Sequence, residues 1–418
     1  MEPLLSTFDF AALLFVMAAA IGVFNERTLD LPRPIALLIG ALAVSAVIVL
    51  ASRFLPVDIH GLAELRLSHA DLPRVLLDGV LALLLFAASL HVDVEALRRR
   101  ALPIFVLATV GVLLAMALFG LGIFGVFALA GVDVPLVWCL VLGAVLAPTD
   151  AVAVDQLLKR VSMPDEIRVV ISGESLFNDG AAVVLFFAVL AAAGGDPHAL
   201  GHGRIAIDFV IGGFGAGLLG LGAGLLGVEA LKRTRDPTLA VTISLALVFA
   251  SYRAAAWLDV SGPIAVVVAG LVFFNRRPAG QPAPGQAPPL KAFWSVADDL
   301  VNTLLFLLMG FEILAVPLGA AGWLPMLAAI PLALLVRAAS VTLPVLFERA
   351  PVGGRWPAIG VLTWTGLRGG ISLALILGLP DGAWRDALAS VCYAVVIFTV
   401  IVQGLTTPAV IRRLYKGG

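Results

Sequence analysis

Charge is what this 418-residue chain has least of: 13% of it is Asp, Glu, Lys or Arg, about half the share of a soluble protein. So few charges cannot cover a water-soluble body of this size, and 61% of the residues are hydrophobic. Disorder is excluded on the same grounds, since it needs low hydrophobicity and high charge. Basic and acidic residues nearly cancel, 27 against 28, so no face for nucleic acid is indicated. Cysteine is limited to Cys139 and Cys392, both in apolar runs without metal-ligand spacing, where they read as small buried hydrophobes. The five histidines (His60, His69, His91, His198 and His202) sit in or beside loops, which argues against a metal site. No Gly-x4-Gly-Lys-Ser/Thr loop is present, so nothing marks the chain as an ATP-driven pump or an enzyme, and no cofactor is called for.

What is present is long apolar sequence, as at 35–50 and 101–130. A transmembrane β-barrel would alternate apolar and polar residues over strands of about ten. These runs are continuous, so the expected fold class is an all-α polytopic membrane protein. A spanning helix needs about 20 apolar residues. The segments are 8–24, 34–51, 75–90, 102–130, 136–154, 167–193, 205–228, 239–258, 263–274, 299–315, 322–347, 357–379 and 387–411, thirteen in all. Of these, 75–90 and 263–274 are short, and 102–130 is long enough to tilt or break. The first follows Glu2 and no basic stretch, so it reads as a membrane helix and not a cleaved signal. Of the 27 basic residues, 19 fall in one alternate set of loops and 5 in the other, with Arg253, Arg337 and Arg368 inside segments. The positive-inside rule then puts the C-terminus in the cytoplasm and, with an odd count, the N-terminus outside. The organisation expected is one transmembrane domain over 1–418, with halves 1–193 and 239–411, a linking helix 205–228 and a Pro/Gly-rich cytoplasmic linker 275–297.

Polar residues within membrane spans are expensive and usually functional. They concentrate in three stretches. In Gly143-Ala-Val-Leu-Ala-Pro-Thr-Asp150, Pro148 removes a backbone donor and disfavours helix at Ala147, so the helix should break beside Thr149 and Asp150. A simple proline kink is the plainer alternative, but it does not need the adjacent Asp150. In Gly173-Glu-Ser-Leu-Phe-Asn-Asp-Gly180, the pairs Ser175/Asp179 and Glu174/Asn178 are one turn apart and form one polar face. In Thr363-Trp-Thr-Gly-Leu-Arg-Gly-Gly-Ile-Ser372, three glycines around Arg368 permit a second break. Arg337 and Arg368 are the basic residues best placed to meet Glu174 and Asp179, without which a buried carboxylate would be protonated. Asp78, Glu312 and Arg253 are lesser candidates, with interfacial or packing roles favoured. The broken segments are the fifth and the twelfth. That spacing suggests two six-helix repeats, inverted in the membrane, whose paired broken helices mark a midplane site.

Together the stretches Ala147-Pro-Thr-Asp-Ala-Val-Ala-Val154, Gly173-Glu-Ser-Leu-Phe-Asn-Asp179, Gly366-Leu-Arg-Gly-Gly370 and Leu90-His-Val-Asp-Val-Glu-Ala-Leu-Arg-Arg99 resemble the monovalent cation:proton antiporters of the NhaP/NHE-like group. The resemblance covers the whole chain in order. It implies an inverted-repeat bundle, a homodimer in the cell membrane, and Asp179 as the ion- and proton-binding carboxylate. It also implies Thr149, Ser175 and Glu174 as cation ligands or their neighbours, Asn178 and Asp150 as support, and Glu174 paired with Arg337 with Arg368 nearby. One departure is Ala151, where many members have proline. The short tail is the prokaryotic form.

On this reading Na⁺ or Li⁺ and a proton compete at Asp179 under alternating access. Carboxylate, hydroxyl and carbonyl oxygens supply the hard ligands such a cation takes. Asn178 cannot titrate, so one proton exchanges for one cation and transport is electroneutral. Electrogenic relatives carry a second Asp there. K⁺/H⁺ exchange on the same fold is the first rival, because the ligand types do not separate the ions. A proton-channel subunit of a redox complex would use buried lysines, whereas Lys159, Lys232, Lys291 and Lys416 all fall in loops. A receptor or scaffold would not need carboxylates facing two broken helices.

Overall fold

The computed structural model describes residues 7–52, 79–90, 92–158, 161, 163–194, 204–275, 289–312, 321–347 and 354–415. Asp78, the five histidines and the 276–288 part of the Pro/Gly linker lie outside them. All regular structure among the described residues is helical. In chain order the helices are α1 (Thr7–Thr28), α2 (Arg33–Ser52), α3 (Leu81–Ser89), α4 (Val94–Arg99), α5 (Ala101–Leu129), α6 (Leu136–Val145), α7 (Ala151–Leu158), α8 (Asp165–Ala193), α9 (Arg204–Lys232), α10 (Pro237–Trp257), α11 (Gly262–Asn275), α12 (Pro289–Glu312), α13 (Trp323–Phe347), α14 (Arg355–Trp364), α15 (Gly370–Leu377) and α16 (Arg385–Leu414). Nine described helices are long and apolar enough to cross a bilayer: α1, α2, α5, α8, α9, α10, α12, α13 and α16. Helices α6 and α11 are apolar but shorter.

Apolar side chains cover the outside as well as the core. Leu129, Trp257 and Trp356 are more than three-quarters exposed, as a lipid-facing surface requires and a water-facing one would not tolerate in such number. Inside, helices meet through small residues that let backbones approach. A Cβ on Gly143 of α6 would lie 2.3 Å from the Met116 carbonyl oxygen of α5. One on Gly220 of α9 would lie equally close to the Ala265 carbonyl oxygen of α11. The main core runs through α5, α6, α8, α13 and α15. A second gathers Phe86, Phe273, Phe274 and Trp294, with Phe86 and Trp294 ring centroids 4.8 Å apart.

Two features differ from the sequence expectation. Helix α12 begins at Pro289, ten residues before the expected start at 299, so the last part of the expected 275–297 linker is helical. Proline suits the first helical turn because its missing N–H is unpaired there in any case. Trp294 holds this turn in place by donating its indole N–H to Ser244 Oγ at 2.9 Å. Helices α5 and α16 are each continuous but contain a π-helical turn, at Leu107–Gly111 and Phe398–Gln403. Such turns often occur at functional sites.

Candidate functional site

Both expected breaks are present. Helix α6 ends at Val145, residues 146–150 are unwound, and helix resumes at Ala151. Helix α14 ends at Trp364, and residues 365–369 are unwound before α15. The two unwound stretches touch: the Asp150 amide donates to the Leu367 carbonyl at 2.8 Å. The approach requires glycine at 369, because a Cβ there would sit 2.0 Å from Asp150 Oδ2.

Arg368, buried at this crossing, donates from Nη1 to the Ala147 carbonyl at 2.5 Å and the Pro148 carbonyl at 2.8 Å. A helix carbonyl end carries partial negative charge. The guanidinium places a fixed positive charge at these two oxygens. Helix α16 ties down the second break. Thr399 Oγ1 accepts the Arg368 amide at 3.1 Å, and Gln403 Nε2 donates to the last carbonyl of α14, on Trp364, at 3.3 Å.

Helix α8 supplies the other half. Glu174 and Arg337 form a bidentate buried pair, at 2.5 Å and 2.8 Å. Arg337 also donates from Nε to the Leu362 carbonyl at 3.1 Å. Of the two arginines the polar stretches offered, it is Arg337 that pairs with Glu174, as the resemblance implies, while Arg368 donates to the Ala147 and Pro148 carbonyls. On the same polar face, the adjacent Ser175 shares a hydroxyl–hydroxyl bond of 2.9 Å with Thr149, and Asn178, one turn on from Glu174, donates from Nδ2 to Thr149 Oγ1 at 2.8 Å. Asn178 Oδ1 meets the Thr149 amide at 3.5 Å. Thus Thr149, Ser175 and Asn178 come together, with Glu174 turned to the arginine.

Asp179 is 5% exposed, and its Oδ1 has no hydrogen-bond partner. It lines a small cavity of about 40 Å³, together with Pro148, Thr149, Asp150, Gly369 and Gly370. The cavity therefore lies against both breaks and α8. Asn302 and Ser372 line it too, and sequence reasoning gave neither a role. Asn302 is an amide within the 299–315 segment, a signal of the same kind as the residues that were singled out. Among the described residues, no group of three His, Cys, Asp or Glu side chains could hold a metal ion. The carboxylate and hydroxyl groups that line the cavity are hard oxygen donors.

The profile of the family described as sodium/hydrogen exchanger, transmembrane, matches residues 13–413. The Na⁺/H⁺ antiporter NhaP of Pseudomonas aeruginosa is 36% identical over 422 residues, covering 98% of this chain and 97% of the relative. The Na⁺/H⁺ antiporter ApNhaP of Aphanothece halophytica is 32% identical over 365 residues, covering 85% and 67%. In three dimensions the chain is similar to the sodium proton antiporter MjNhaP1 from Methanocaldococcus jannaschii, with a TM-score of 0.74 over 97% of both chains and 17% identity. That last likeness is one of fold.

Proposed function

The chain belongs to the transmembrane sodium/hydrogen exchanger family, and from that premise we propose that it exchanges Na⁺ or Li⁺ for a proton, one for one, by competition at Asp179. The observation that carries the reading is the Asp179 carboxylate, buried and with Oδ1 unpaired, beside a cavity at two helix breaks. When Asp179 is deprotonated it binds the cation, with Thr149 and Ser175 as neighbouring oxygens. When the carboxyl takes a proton, the cation leaves. Glu174 holds Arg337 and serves the site by fixing α8 against α13, and is not itself a ligand. Arg368 keeps the broken ends of α6 and α15 together. Alternating access carries Asp179 between the two sides, in a homodimer of inverted-repeat subunits in the cell membrane, with the C-terminus in the cytoplasm and the N-terminus outside.

Sodium is the preferred substrate because the relatives are named for it, and potassium on the same site is the outcome the test must separate. The purified chain is placed in liposomes with a trapped pH dye, and Na⁺, Li⁺ and K⁺ are added in turn. Proton movement driven by Na⁺ and Li⁺ is expected. A response to K⁺ alone would replace the substrate, and a response to none would overturn the reading.

A further inference from the structure

The exchange proposed above gives α15 no part in holding the ion, yet this helix presents an oxygen to the same cavity. Ser372 is fully buried and lines that cavity, and its hydroxyl has no hydrogen-bond partner. A helical serine or threonine ordinarily returns its hydroxyl to a carbonyl about one turn back. Ser340 and Ser390 do so in this chain, at 3.0 and 2.8 Å. For Ser372 the carbonyl one turn back belongs to Arg368, in the unwound stretch, so the helix start leaves the hydroxyl without that outlet. An unpaired buried hydroxyl is unfavourable unless the cavity it faces supplies a partner. Asp179 lines the same cavity, and its Oδ1 has the same deficit. The Thr149 hydroxyl, by contrast, is engaged by both Ser175 and Asn178.

Resting on Asp179 as the carrier, we infer that Ser372 Oγ is a ligand of the transported cation, so that the ion is held between α8 and the second broken helix. A neutral hydroxyl oxygen is a hard donor suited to a small monovalent cation. It adds no charge, so it tunes affinity and selectivity without altering how many protons exchange. Its loss should weigh most on the cation whose hydration is hardest to replace, in the order Li⁺, Na⁺, K⁺.

The experiment compares Ser372→Ala and Ser372→Cys with wild type in liposomes, reading KM and kcat for each cation. It adds the rise in melting temperature that Na⁺ induces in detergent, which reports binding without transport. The expected result for both variants is a KM for Na⁺ raised about tenfold, equivalent to about 1.4 kcal/mol, with kcat near wild type. Cation-free melting should be unchanged or higher, because a hydroxyl with no protein partner is removed. Sodium should stabilise the variants less than wild type. The cysteine variant keeps the shape of serine, so it carries the test if alanine disturbs the helix. A KM and a sodium-induced shift equal to wild type would overturn the assignment. Lower cation-free melting with an unchanged KM would do so as well, since that is the mark of a packing residue. If wild-type protein itself neither exchanges nor is stabilised by Na⁺, the reading of Asp179 fails first, and that outcome is distinct.

Discussion

At the scale of single residues the site separates carboxylates by their partners. Glu174 is matched by both arms of Arg337, whereas Asp179 is buried beside a cavity with Oδ1 unpaired. Asp179→Asn should therefore fold and insert, because asparagine is nearly isosteric, and it should exchange no cation in the dye assay; robust exchange by a well-inserted variant would sink the assignment. Glu174→Gln should act in the opposite sense. Removing one partner of a buried pair leaves the other charge uncompensated and typically costs about 3–5 kcal/mol. The expected result is a clearly lower melting temperature in detergent with some exchange retained. Unchanged melting with abolished transport would make Glu174 a direct carrier. The two acidic residues were legible in the sequence because charge in an apolar span is conspicuous. The identity of the arginine was not legible from residue type and position, because Arg337 and Arg368 are equally polar in sequence; only the family resemblance pointed to Arg337, and the reach of its side chain to Glu174 is a matter of tertiary structure.

At the scale of elements, Pro148 and the glycines 366, 369 and 370 announce the two breaks, since each acts on local backbone geometry. The π turns are another matter. Nothing local distinguishes Phe398-Thr-Val-Ile-Val-Gln403 from ordinary α-helix, and its role is visible only once α16 lies against the second break. The early start of α12 was hidden for a related reason: Pro289 reads as linker until Trp294 is seen packed on Phe86. Thr399 and Gln403 satisfy an amide and a carbonyl that a broken helix leaves without helical partners. Thr399→Val keeps the shape and removes the acceptor for the Arg368 amide. An unpaired buried donor costs about 1–3 kcal/mol, so melting should fall moderately. If the bond also positions Arg368 at the Ala147 and Pro148 carbonyls, kcat should fall more than KM rises. Wild-type melting together with wild-type kcat would show that α16 does not hold the break.

At the scale of the whole molecule, membrane insertion follows from composition and the family from motifs spread over the chain, so both were open to a reading of the sequence. The cavity was not, because its lining comes from α3, α8, α12, α15 and both breaks, elements brought together only by packing. How many charges one cycle moves depends on how many groups in that cavity titrate as it turns over. With Asp179 as sole carrier and Asn178 beside it unable to titrate, protons and cations compete for the same oxygens. Over the range in which the empty carboxyl is mostly protonated, raising the pH should lower the apparent KM for Na⁺ by up to about tenfold per unit. At higher pH turnover should decline, because the return step needs a proton, and a bell-shaped profile results without a separate pH sensor. On the proposed one-for-one exchange one positive charge would cross in each direction, so a membrane potential set with K⁺ and valinomycin should leave Na⁺-driven exchange in liposomes nearly unchanged. A rate that follows the imposed potential would require a second proton carrier. Asp150, which lines the same cavity against Gly369, would then be the first residue to replace.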